Sequence, residues 1–153
     1  MYKLYIFLIG KKRKYKKGNL KQDVANADPH KLTLMLLQGA LDRIAYAKGA
    51  MERKELQEKA TFISKATAII IHLRDTLDVK VGGEVAENMF ALYEFMIEKL
   101  NEAHVNNDIK LLDEVSSLLS PIRDAWVQIP QEAKEEAFRA QRESKQAIWT
   151  SIS

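Results

Sequence analysis

The chain contains no cysteine. Disulfides, thiolate catalysis and cysteine-bound zinc are excluded, which fits a reducing cytosol. Proline is scarce as well, with three in 153 residues, and there are only six glycines. Long stretches therefore lack helix breakers, and a helical fold is favoured. Histidine occurs three times, at His30, His72 and His104. A di-metal carboxylate site in a helical bundle needs Glu three positions before an inward histidine. Ala27, Ile69 and Asn101 stand there instead. Phosphotransfer through His72 is disfavoured because Asp75 follows within one turn and would repel a phosphoryl group. No glycine-rich phosphate loop follows a strand, and no serine sits in a nucleophile elbow. The expectation is a protein with no catalytic residue, no metal and no cofactor.

No run of apolar residues supports a membrane span. The stretch at residues 4–9 is far short of the roughly 20 residues a bilayer needs. Its basic cluster, residues 11–17, follows it rather than preceding it, which is the wrong order for a secretory signal. That cluster dominates the charge. Residues 1–31 hold nine Lys/Arg against two Asp, a surplus of seven, so the rest carries a net −4 within the total of +3. The bulk of the chain is mildly acidic. The basic run is either a solvated arm or a contact for nucleic acid or anionic lipid.

What is abundant is apolar spacing at helical period. The length suits one domain, and 46% hydrophobic content supplies a core. Asp28-Pro29 opens the first predicted helix, residues 29–52, with a capping carboxylate and a proline at the first helical position. At 100° per residue Leu34, Leu37, Leu41, Ile44 and Met51 fall on one side. Leu32, Met35, Leu36, Gly39 and Tyr46 fall roughly opposite. A helix apolar on two sides is either enclosed or offers one side to a partner.

The second predicted helix, residues 55–77, carries a stripe of Leu56, Ala60, Ile63, Thr67, Ile70 and Leu77 beside a row of Phe62, Ala66, Ile69 and Leu73. A loop at residues 78–83 ends in Gly82-Gly83. The third helix, residues 84–106, has Val85, Met89, Leu92, Tyr93, Met96, Leu100 and Ala103 on one stripe. Asn107-Asp108 supplies a turn and a cap for the fourth, residues 108–126, with Leu112, Val115, Leu119, Ile122 and Trp126. Pro121 inside that pattern predicts a kink near Leu118 within a single helix. Residues 131–149 have helical propensity but a thin stripe, so a marginal tail helix or disorder is expected. The fold class is all-α: an antiparallel four-helix bundle over residues 28–128, between a basic arm at 1–27 and a tail at 129–153.

Four stretches in order carry a resemblance. They are Asp28-Pro29-His30-Lys31-Leu32, running on through Met35-Leu36, Gly39-Ala40-Leu41 and Ala47-Lys48-Gly49-Ala50-Met51; Ile63-Ser64-Lys65-Ala66 with Leu73-Arg74 and Leu77-Asp78; Gly82-Gly83-Glu84-Val85-Ala86-Glu87-Asn88 with Leu92-Tyr93 and Met96; and Asn107-Asp108 with Leu118-Leu119 and Ile122-Arg123-Asp124-Ala125-Trp126. Together they resemble the FliS family, flagellar secretion chaperones that bind flagellin. Tyr15 lies fourteen residues before Pro29, where the family has a tyrosine. Asp28 replaces the family's serine, and residues 1–14 do not look like its usual leader.

The resemblance implies a cytosolic helical bundle that works by contact. It implies that the disordered C-terminal segment of flagellin is held, kept from premature polymerisation and delivered to the flagellar export gate. The leftover apolar positions Leu32, Met35, Leu36 and Tyr46, extended by Phe62, Ile69 and Leu73, are the expected protein-binding groove. The arm around Tyr15 is expected to cap that groove without client. A homodimer is left open. The rival reading, a basic-armed nucleic-acid-binding regulator, rests on residues 11–17 alone.

Overall fold

The computed structural model describes residues 29–129 and 131–152. The expectations for Asp28 as a cap, for Tyr15 and for the basic arm fall outside those residues. Five helices follow one another: α1 Pro29–Glu52, α2 Leu56–Asp75, α3 Val79–Asn106, α4 Ile109–Val127 and α5 Gln131–Ile152. No strand occurs among the described residues.

Helices α1 and α3 each pack against both α2 and α4, giving a square four-helix bundle. Neighbours run antiparallel. Along the α1–α4 seam Lys48 reaches Asp113 at 3.0 Å, Gln38 accepts from Arg123 at 3.0 Å, and the His30 carbonyl accepts from Trp126. Residue numbers rise on one helix as they fall on the other. Leu37, Ile44, Ile63, Ile70, Tyr93, Met96, Leu100, Leu112, Val115 and Leu119 fill the centre. Each large side chain there contributes about 1.5–3 kcal/mol relative to exposure. Ala40, Ala47 and Ala50 of α1 and Ala66 of α2 are fully excluded from solvent. Side chains this small let two helix axes approach at the short end of the usual range of about 8–10 Å.

The expected stripes hold with small rotations. On α2 the buried line is Lys59, Ile63, Ala66, Ile70 and Leu73, so Leu56, expected in the core stripe, is 66% exposed. Lys59 is the departure from pattern. Its Nζ donates to the His104 carbonyl at 3.1 Å and to Asn107 Oδ1, so a buried ammonium caps the C-terminal end of α3. A cation there also suits the negative end of the helix dipole.

One junction differs from expectation, and the turn and cap expected at Asn107-Asp108 are found. Residues 78–83 are not a plain loop. Asp78 caps a short helical turn by accepting from the Val81 amide at 3.2 Å, and the break comes at Gly83, with φ 54° and ψ −132°. Only glycine adopts that pair of angles at low cost. At the far end Asn107 takes a left-handed conformation, the Asp108 amide donates back to the Ala103 carbonyl at 3.1 Å, and Asp108 then caps α4. Helix α4 remains one helix across Pro121. The carbonyl that loses an amide partner there belongs to Ser117, which is exposed, as is Pro121, so water can serve it. The tail is a regular helix, α5, of 22 residues. No described helix is long and apolar enough to cross a membrane.

Candidate protein-binding surfaces

Two apolar surfaces flank α2. The first lies along the α1–α2 seam. Tyr46 and Phe62 touch with ring centroids 5.3 Å apart at 51°. Further along, a Cβ on Gly39 would stand 3.6 Å from Ile69 Cδ1, an ordinary contact distance, so Gly39 and Ile69 face one another across the seam. Both pairs obey one antiparallel register. Leu36, Phe62 and Ile69 are half-buried against the core, and Leu32 is half-buried. Met35 and Tyr46 are the outermost members, 56% and 55% exposed. From residue 32 to residue 46 this face extends about 21 Å at 1.5 Å per residue.

The structure thus gathers six of the seven expected groove residues onto one face. Leu73 is the exception. It is 5% exposed and turned into the core, because the buried line of α2 passes through it rather than beside it. Cations border the face: Lys65 Nζ lies 6.0 Å from the Phe62 ring centroid, and Arg43 donates to the Gly39 carbonyl at 3.1 Å.

The second surface is an open channel of about 670 Å³ between α2 and α3. Ile63, Ile71 and Ile97 form its apolar lining, and Ala60, Ser64 and Ala68 leave the room. Thr67 donates its hydroxyl to the Ile63 carbonyl at 2.8 Å, so it presents a methyl group. Arg74, Glu94 and Glu98 supply the charged rim, with Arg74 and Glu94 3.8 Å apart. Sequence reasoning missed this channel. Its signal was the small-residue spacing at 60, 64 and 68, which reads as ordinary core when only apolar side chains are counted.

Among the described residues no three His, Cys, Asp or Glu gather as metal ligands would. The geometry offers instead long, shallow apolar tracks with polar edges. Such tracks accept the apolar face of an amphipathic helix.

The family model described as flagellar protein FliS matches residues 11–133. The flagellar secretion chaperone FliSB of Pseudomonas aeruginosa is 46% identical over 114 residues, covering 74% of this chain and 90% of that protein. The flagellar secretion chaperone FliS of Vibrio cholerae is 37% identical over 123 residues, 80% of this chain and 90% of that protein. That of Salmonella typhimurium is 38% identical over 120 residues, 78% and 89% respectively. A match across most of both partners, on a bundle with these exposed tracks, identifies the chain as a member of the FliS family of flagellar secretion chaperones.

Proposed function

We propose that this chain binds the disordered C-terminal segment of flagellin in the cytoplasm, prevents its premature polymerisation and hands it to the flagellar export gate. The observation that carries the reading is apolar surface in excess of core, with Met35 and Tyr46 more than half exposed on a helix that already buries Leu37, Ala40, Ile44, Ala47 and Met51 in the core. A flagellin tail ordering as helices along the α1–α2 face and the α2–α3 channel would hide its own sticky segments. Ordering a disordered chain costs free energy, so the contact has to be extensive, and two tracks on either side of α2 provide length. No bond is made or broken in this role. The arm around Tyr15 covers the α1–α2 face when no client is present, and the client displaces it.

The test is titration of the chain with a flagellin C-terminal fragment. Met35→Asp and Tyr46→Asp should each weaken capture at least tenfold while helical content and melting stay unchanged. Wild-type affinity in both variants would refute the α1–α2 face as the binding surface. Absence of binding by the wild-type chain would refute the reading itself. Deleting residues 1–22 should tighten capture if the arm is a cap. The nucleic-acid reading draws on residues 11–17 alone, and no relative's name speaks for it.

A further inference from the structure

One helical turn beyond the Ala60–His104 end of the α2–α3 channel lies a second cavity, of about 410 Å³. Met51, Leu56 and Ile109 give it apolar walls. Lys54 and the buried Lys59 bring positive charge, and Glu55 is the one carboxylate among its lining residues. Glu55 is already held by Arg53, at 3.1 and 3.2 Å. Helix α2 starts beside the cavity with no side-chain cap on its first amides, so the positive end of its dipole also borders this space.

Lys59 links the two spaces. Its Nζ donates to the His104 carbonyl at 3.1 Å and to Asn107 Oδ1. His104 lines the channel, and Asn107 and Lys59 line the cavity. An ammonium has three hydrogens to donate. Among the described residues Lys59 uses two of them, both on neutral oxygens. A buried cation with a donor left over is best completed by an ionised acceptor. Leu56, which its stripe would place in the core, stands exposed at the mouth of the same cavity.

We infer that this cavity receives the free C-terminal carboxylate of a client lying in the α2–α3 channel. The client's last residue places its α-carboxylate at Lys59 and its side chain against Met51, Leu56 and Ile109. The inference rests on the function proposed above and adds a polarity to it. With its end at Lys59, the final segment of the client runs antiparallel to α2 and parallel to α3, from the Arg74–Glu94 rim to the cavity. Where that segment is helical, the negative end of its dipole meets the two lysines and the start of α2. From residue 56 to residue 74 the joined track measures about 27 Å, the length of about 18 helical residues. The ends of an internal segment are neutral amides and offer no such match to Lys59.

The experiment compares a flagellin C-terminal fragment as the free acid with the same fragment ending in an amide, each titrated calorimetrically into the full chain. The acid should bind at least tenfold more tightly. Lys59→Met should bind the two alike, and Lys54→Glu, at an exposed position, should narrow the difference with the fold unchanged. The acid–amide comparison is made on the unaltered protein, so it decides even where Lys59→Met fails to fold. Equal affinity for acid and amide overturns the inference and leaves the proposed function standing. A preference for the acid that persists in both variants also overturns it, because the carboxylate then sits elsewhere. Binding of neither fragment overturns the proposed function and this inference with it.

Discussion

The indole of Trp126 donates to the backbone carbonyl of His30 at 3.0 Å, while its ring lies on the His30 imidazole with centroids 5.7 Å apart and planes 7° from parallel. Ninety-six positions apart in sequence, the two residues fasten the end of α4 to the start of α1. Trp126→Phe keeps an aromatic ring against the imidazole and loses the hydrogen bond, so it should cost about 1 kcal/mol. Trp126→Ala leaves a cavity as well and should cost about 3–5 kcal/mol. Urea unfolding of both variants checks the order; equal costs would show that the hydrogen bond and not the packing matters.

Lys59 is the buried charge whose loss should be felt far from its own helix. Lys59→Met keeps most of the apolar stem but strips the His104 carbonyl and the Asn107 amide oxygen of their donor. The expected cost is about 1.5–3 kcal/mol. Amide exchange should quicken around residues 103–108, at the end of α3, rather than in α2. Unaltered stability would mean that water replaces the ammonium without loss.

Two glycines should respond in opposite directions. Gly83→Ala places a side chain at φ 54°, ψ −132° and should cost about 1–3 kcal/mol, even though nothing lies within 4 Å of the added atom. Gly39→Ala sits mid-helix, in ordinary contact with Ile69 and against the movable end of Arg43, and should gain about 0.5–1 kcal/mol. Thermal melts of the pair decide. Destabilisation by both would mean that Arg43 cannot yield.

Alkali should loosen the bundle through Tyr93. Burial pushes its hydroxyl from an ordinary 10.0 up to about 12. The unfolded chain releases this proton first, so the contribution to stability is whole below pH 10 and declines as pH rises toward 12. At about 1.4 kcal/mol per pH unit the decline is on the order of 2–3 kcal/mol. Tyr93→Phe should flatten that part of the stability–pH curve; an identical slope in the variant would assign it to other groups.

The outline of the bundle was legible because its signals are local. Pro29, Gly83 and Asp108 punctuate the chain where the helices begin or break, and Leu37, Ile44, Met96, Leu100 and Leu119 recur at helical spacing. The exposed apolar face along α1 was legible for the same reason, as apolar residues beyond what one buried side requires. What sequence concealed depends on rotation and on neighbours. A few tens of degrees on α2 exchange Leu56 for Leu73 in the core. Lys59 reads as a solvated charge until the end of α3 is seen above it, and the α2–α3 channel exists only because α3 stands opposite three small residues. The tail reads as marginal by its stripe alone, yet it is helical throughout.

Ala40, Ala47 and Ala50 of α1 are fully excluded from solvent, and α1 packs more closely along α2 than along α4. Alanine has no rotamer to change, so this seam cannot loosen by small side-chain adjustments; it either stays shut or parts altogether. The first hairpin is accordingly the stiff plank of the molecule, and whatever settles along it must do the bending.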